Sequence, residues 1–115
     1  MLGLIRSMLG GAHVDALTPA DVHESLSRGA LHLVDVREAG EWQQMRIAGA
    51  VHVPLSRLAQ QLDRLPADKP IVFYCLSGRR SASAISLCRR FGMMHARHMG
   101  GGLSEWRAAG LPVQT

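Results

Sequence analysis

The sequence predicts a three-layer α/β domain, with a central, mostly parallel sheet of about five strands and helices on both faces. Two observations carry this prediction. Short apolar runs typical of buried strands alternate with segments of helical periodicity along the whole chain. The 115 residues, 47% of them hydrophobic, are enough to build one core and suit a globular domain. In a parallel sheet of this kind, ligands bind at the carboxyl ends of the strands.

The predicted elements can be justified in order. Thr18-Pro19 supplies an N-cap and a first helical residue, and that helix should end near Gly29. The leucines at 55, 58, 62 and 65 recur at helical spacing before Pro66. Strands are predicted over 31–36, 50–53, 71–74 and 95–99, and further helices over 38–44, 82–91 and 103–109.

The domain organisation predicted is an N-terminal extension, residues 1–12, frayed or helical, followed by a single domain over 13–115. The start lacks a basic region before its apolar part and lacks a cleavage site, so we expect no signal peptide and a cytoplasmic location. No apolar run is long enough to span a membrane. In the cytoplasm thiols stay reduced, so Cys75 and Cys88 are expected to be free.

The net charge of +4 arises from thirteen Lys and Arg against nine Asp and Glu. These cations are spread along the chain, and aromatic residues make up only 4% of it, so a nucleic-acid partner is not expected. The charge favours attraction of small anions instead. Cys88 falls on the apolar face of a predicted helix and is read as a small buried hydrophobe. A resolving or regulatory thiol for Cys75 is the alternative.

The most informative stretch of the chain begins at Cys75, which ends an apolar strand and is followed at once by a polar loop and a helix. Backbone N–H groups of such a loop, with the positive end of a helix dipole, lower a thiol pKa and favour the nucleophilic thiolate. Gly78 permits a positive φ, two arginines add charge at the rim, and Ser81 is a candidate helix cap. The predicted anion-binding residues are Leu76, Ser77, Gly78, Arg79, Arg80 and Ser81.

Three stretches of the chain, the loop Cys-Leu-Ser-Gly-Arg-Arg-Ser at 75–81 and the segments 33–55 and 101–113, carry motifs in a fixed order. Together they resemble the rhodanese-like sulfurtransferase family. The loop is similar to the active-site loop of that family. The segments 33–55 and 101–113 resemble its N-terminal and C-terminal signatures, in the family's order. One departure is Met45-Arg46, where the family often has Gly-His. This departure changes the surface and adds a positive charge.

The resemblance implies that Cys75 is a nucleophile that takes the sulfane sulfur of thiosulfate or a similar small anionic donor. The resulting persulfide would pass its sulfur to cyanide, a thiol or a protein acceptor, by covalent catalysis in two steps. Neither a metal nor an organic cofactor is implied. The amide-lined loop suits an anionic persulfide.

Other polar residues are given structural roles ahead of functional ones. Asp35, at a strand end, is read as a buried carboxylate that accepts backbone N–H bonds or pairs with Arg37, and the functional alternative is that it orients the loop or an arginine. Both tryptophans are assigned to the core or an interface. The glycines at 100–102 lack the rest of a phosphate-binding motif and are read as a turn. No histidine has the spacing of a general base for Cys75, and no metal site is expected.

Two rival functions remain open. A cysteine phosphatase or arsenate reductase holds its oxyanion with Cys, five residues and Arg, which would place the arginine at 81. Ser81 stands there instead, and Arg80 comes one residue early. The tighter loop fits a sulfur better than a tetrahedral phosphate. The second rival is a persulfide carrier or partner-binding module. The presence of Cys75 counts against a catalytically inactive binding module, whereas the carrier stays open.

Overall fold

The computed structural model describes residues 16–115, which contain a five-stranded parallel sheet. The strands are β1 (Ala16–Leu17), β2 (His32–Asp35), β3 (Val51–His52), β4 (Ile71–Tyr74) and β5 (Arg97–Met99). Their order in the sheet is β1-β5-β4-β2-β3, and the predicted fold class is confirmed. The helices are α1 (Pro19–Ser27), α2 (Ala39–Gln44), α3 (Leu55–Gln61), α4 (Arg79–Arg90) and α5 (Gly102–Ala108). The predicted extension over 1–12 and the domain boundary at residue 13 lie outside the described residues.

Each face of the sheet carries its own core, because successive side chains of a strand point to opposite faces. Val34 and Phe73 pack with α3 and α4 on one face. Leu33 and Val72 pack with α1 and α5 on the other. Cys75 belongs to the α3–α4 side. This layering puts the thiol between the central strand and the start of α4.

Several predicted boundaries need correction. β1 was not predicted, because two half-buried residues carry no periodic signal. The leucine-spaced helix ends at Gln61, and a 3₁₀ turn continues it over Leu62–Arg64. β5 covers only the last three residues of the predicted strand. In the part of the chain described, no helix has the length and apolar character needed to cross a membrane.

The start of α4 also differs from the prediction. The helix begins at Arg79, three residues earlier than expected, and Gly78 is its N-cap with φ 107°. Ser81 is therefore inside the first turn and does not cap the helix. Its hydroxyl donates back to the carbonyl oxygen of Gly78 at 3.2 Å. The early start matters because it folds the polar loop tightly around Cys75.

Candidate active site

The thiol of Cys75 lies at the carboxyl end of β4, the central strand of the sheet. The residue is 1% exposed. Its Sγ accepts hydrogen bonds from the backbone N–H groups of Gly78 at 3.1 Å and Ser81 at 3.4 Å. In its thiol form Cys75 donates to the Ser81 hydroxyl oxygen at 3.7 Å. Two backbone N–H groups of the loop thus donate to the sulfur, as the binding of an anion requires.

These donors shift the ionisation of the thiol. Burial alone would raise the pKa of Cys75, because it removes water from the charged form. The hydrogen bonds from Ser81 and from the amides of Gly78 and Ser77 stabilise the thiolate and outweigh that effect. The pKa of Cys75 therefore lies below its ordinary value. A lowered thiol pKa is the property that distinguishes a nucleophilic cysteine from a structural one.

The glycine run at 100–102 packs directly against the cysteine loop. Gly102 has φ 63°, and a β-carbon there would overlap the carbonyl oxygen of Leu76. Leu103 N–H donates to the Cys75 carbonyl at 2.8 Å, and Ser104 N–H donates to the Leu76 carbonyl at 3.0 Å. The start of α5 thereby fixes the backbone of Cys75 and Leu76. Gly100 and Gly101 form a turn, as predicted, whereas Gly102 is already the first residue of α5. The lack of a side chain at Gly102 permits this close approach.

The two loop arginines differ in their surroundings. Arg79 is exposed. Arg80 forms a bidentate ion pair with Glu41 of α2, with nitrogen–oxygen distances of 2.6 and 3.0 Å. Hydrogen bonding to Arg80 lowers the pKa of Glu41 to about 2, so this carboxylate is charged at neutral pH. The sequence predicted both cations but not this ion pair. Glu41 lies in the segment 33–55 that resembles the family's N-terminal signature, but that resemblance does not show which residue Glu41 contacts.

His98 is a second neighbour that the sequence did not reveal. It lies on β5, and its Nδ1 is 2.8 Å from the Ser81 hydroxyl oxygen. Ser81 therefore links the Cys75 sulfur to an imidazole on the next strand. Spacing along the chain cannot show such a contact, because the β4–β5 pairing alone brings residue 98 beside the loop. His95 precedes β5 and is exposed.

Asp35 and Arg37 form a buried ion pair beside the loop. The carboxylate accepts the Arg37 backbone N–H at 2.8 Å and the Arg37 Nη2 at 2.8 Å. Arg37 Nη2 also donates to the carbonyl of Met45 at 2.6 Å. This arrangement agrees with the structural role inferred from the sequence. Asp35 thus pairs with Arg37, and Arg37 in turn contacts the end of α2.

Of the remaining predicted residues, two lie in the loop and the others pack elsewhere in the domain. Leu76 and Ser77 are exposed at its mouth. Trp106 is buried in the α1–α5 core, whereas Trp42 is half-buried and stacks on His52 with ring centroids 5.0 Å apart. Cys88 is buried and both cysteines are free. Within residues 16–115 no group of three or more His, Cys, Asp or Glu side chains could hold a metal ion.

Fold and site together define a class: a parallel α/β domain with a buried thiol held by loop amides at the end of a central strand. Comparison with known proteins then gives the family. The family model for the rhodanese-like domain matches residues 18–109, and the chain belongs to that family.

Curated relatives and a solved structure are similar to this chain over most of its length. The chain is 36% identical over 105 residues to an HTH-type transcriptional regulator, Rv0324, of Mycobacterium tuberculosis, covering 90% of this chain and 46% of that protein. It is 32% identical over 81 residues to a sulfurtransferase of Allochromatium vinosum, covering 70% of this chain and 76% of the relative. The human single-domain sulfurtransferase TSTD1 superposes with a TM-score of 0.72 at 30% identity, over 82% of this chain and 96% of that one. The chain thus spans less than half the length of some curated relatives.

Proposed function

We propose that this protein is a sulfurtransferase that carries a sulfane sulfur on Cys75. The observation that supports it most is the coordination of the Cys75 sulfur by the amides of Gly78 and Ser81 in a tight loop. The same donors suit the terminal sulfur of a persulfide, which is also an anion. The loop residues from Leu76 to Ser81 form the binding pocket in this proposal. The names of relatives that are sulfurtransferases favour the same chemistry.

The first step loads the cysteine. The Cys75 thiolate attacks the sulfane sulfur of a donor such as thiosulfate, and a new sulfur–sulfur bond forms. The sulfur–sulfur bond of thiosulfate breaks, and its electron pair leaves with sulfite. One thiolate and one thiosulfate dianion thus become one persulfide anion and one sulfite dianion, so charge is conserved. No external oxidant or reductant takes part.

The second step transfers the sulfur from Cys75 to an acceptor. A thiophilic acceptor, cyanide or a thiol, attacks the outer sulfur of the Cys75 persulfide. The bond between the two sulfurs breaks, and its electron pair returns to Cys75 as the thiolate. With cyanide the product is thiocyanate. A reducing compartment, such as the cytoplasm expected from the sequence, would keep Cys75 available between turnovers.

The decisive experiment compares Cys75→Ser with Cys88→Ser. We expect the wild type and Cys88→Ser to form thiocyanate from thiosulfate or methanethiosulfonate and cyanide, and Cys75→Ser to form none. Mass spectrometry should show an added sulfur atom on Cys75 that cyanide removes. Equal turnover by Cys75→Ser, or release of phosphate from an aryl phosphate with greater efficiency than sulfur transfer, would overturn the assignment.

A carrier role, in which a protein accepts the sulfur, is the second candidate. It is favoured by Leu76, which is 45% exposed beside the nucleophile and offers an apolar contact that a small acceptor does not need. A putative sulfur carrier protein of Bacillus subtilis, YrkF, is 31% identical over 77 residues, covering 67% of this chain and 42% of that protein. Transfer to a thiol-bearing protein, measured beside transfer to cyanide, distinguishes the two roles.

A further inference from the structure

Two ion pairs lie beside the cysteine loop, and in each pair the positive and the negative charge nearly cancel. Asp35 and Arg37 are both buried. Glu41 and Arg80 are each about one-third exposed, with side-chain exposures of 34%. The second pair lies at the cysteine loop, since Arg80 is the second residue of α4 and directly precedes Ser81, whose backbone N–H bonds the Cys75 sulfur. An acidic residue from α2 therefore contacts a loop that otherwise presents arginines and backbone N–H donors.

The Glu41 carboxylate is held firmly on Arg80. Its two oxygens each accept from a different nitrogen of the guanidinium, at 2.6 and 3.0 Å. One of those oxygens also accepts the backbone N–H of Glu38 at 3.1 Å, which anchors the carboxylate to the first turn of α2. Both terminal nitrogens of Arg80 are thus engaged. A donor anion that approaches the sulfur meets a compensated cation at this position.

We propose that Glu41 sets the charge selectivity of the site, so that the preferred sulfur donors carry a single negative charge, or none, at the reacting end. This inference rests on the proposed sulfur transfer. An unpaired guanidinium attracts a compact dianion about twice as strongly as a monoanion at the same distance. The neutral Glu41–Arg80 pair removes most of that advantage. Thiosulfate is then a poorer donor than a thiosulfonate or a thiol persulfide.

Two matched donors test the charge alone. Thiosulfate is a dianion, and methanethiosulfonate is a monoanion in which a methyl group replaces one oxygen. Both deliver the same sulfane sulfur to the Cys75 thiolate. With methanethiosulfonate the sulfur–sulfur bond breaks and its electron pair leaves with methanesulfinate. The donor and its leaving group each carry one negative charge, so charge is conserved. The ratio of kcat/KM for the two donors, with cyanide as acceptor, reports the charge selectivity.

Glu41→Gln should raise the ratio of thiosulfate to methanethiosulfonate kcat/KM by roughly fivefold, because it restores one unit of positive charge near the donor. The matched control is Glu24→Gln. Glu24 is exposed on α1 and pairs with Arg28 at 3.7 Å, so this variant also releases one arginine from its ion pair, on a helix that packs against the other face of the sheet. This control changes the net charge equally and should leave the ratio within about twofold of the wild type. An unchanged ratio in Glu41→Gln, or an equal rise in Glu24→Gln, would overturn the proposal.

A second measurement separates this inference from the proposed function. Iodoacetate and iodoacetamide alkylate a thiolate in the same way but differ by one negative charge. Glu41→Gln should raise the iodoacetate-to-iodoacetamide rate ratio at Cys75 by roughly threefold or more, followed by mass spectrometry. This readout needs no sulfur transfer. Absence of persulfide and thiocyanate in the wild type would refute the function, whereas an unchanged alkylation ratio would refute the role of Glu41. Glu41→Ala provides a second variant should the glutamine variant fold poorly.

Discussion

At the scale of single residues, the ionisation of the Cys75 thiol depends on a balance between burial and hydrogen bonding. A thiol that is 1% exposed would ordinarily stay protonated, because the thiolate loses its hydration. The amides of Gly78 and Ser81 replace that hydration with fixed donors. Cys88 provides the contrast within the same chain, since burial raises its pKa without an opposing donor among the described residues. Two buried cysteines thus differ because of the backbone around them.

The hydroxyl of Ser81 should contribute measurably to this balance. Ser81 helps to lower the pKa of Cys75. The rate of alkylation by iodoacetamide should therefore reach half of its maximum at a lower pH than it does for a free thiol, whose pKa is about 8.5. Ser81→Ala keeps the backbone donor and removes the hydroxyl, so the midpoint should rise. Ser83→Ala is the control, because Ser83 lies on the exposed side of α4. A midpoint equal to that of the wild type would show that the backbone amides act alone.

At the scale of elements, the cysteine loop is held by contacts from elements that are distant in sequence. The N-terminus of α5 donates two backbone hydrogen bonds to the carbonyls of Cys75 and Leu76. Helix α2 supplies Glu41, and strand β5 supplies His98. The loop residues themselves were predicted from the sequence. Their partners were not, because each partner is brought there by an element boundary or a strand pairing that spacing does not encode.

Replacement of Gly102 should test the support from α5. Gly102→Ala forces a β-carbon onto the carbonyl of Leu76 at a positive φ, and we expect a loss of about 1–3 kcal/mol of stability with slower alkylation of Cys75. Gly40→Ala is the matched control, since a β-carbon at position 40 would meet no atom within 4 Å and the φ there is ordinary. The control should be neutral or more stable by up to about 1 kcal/mol. Thermal unfolding and alkylation rates measure both effects, and equal behaviour of the two variants would contradict this role.

At the scale of the whole molecule, a chain of polar contacts links the sheet to the C-terminus. Asp35 ends β2 and pairs with Arg37, which donates to the carbonyl of Met45 at the end of α2. The next residue, Arg46, exchanges two backbone hydrogen bonds with Gln114, at 2.7 and 2.9 Å. The buried pair therefore sits at one end of a series of contacts that reaches the last residues of the chain.

Asp35→Asn should destabilise the protein by about 3 kcal/mol, because it leaves the guanidinium of Arg37 buried without its counter-charge. Asp63→Asn is the control: Asp63 is exposed, and its change should fall within about 0.5 kcal/mol of the wild type. Urea unfolding of both variants measures the difference. A loss at position 35 no larger than that at position 63 would mean that the pair contributes little to the fold.

The sequence alone determined the α/β class, the placement of Cys75 at a strand end, and the loop that follows, since these depend on local patterns of apolar residues and on Gly78. For Asp35 it predicted either bonds to backbone N–H groups or a pair with Arg37, and the structure contains both. The tertiary structure decided what surrounds the loop. Glu41 compensates Arg80, and His98 reaches Ser81, because parallel strands and their crossover helices bring together residues that are far apart in the chain. The electrostatic environment of the site depends on these contacts, and a local sequence pattern cannot predict them because the partners are far apart in the chain.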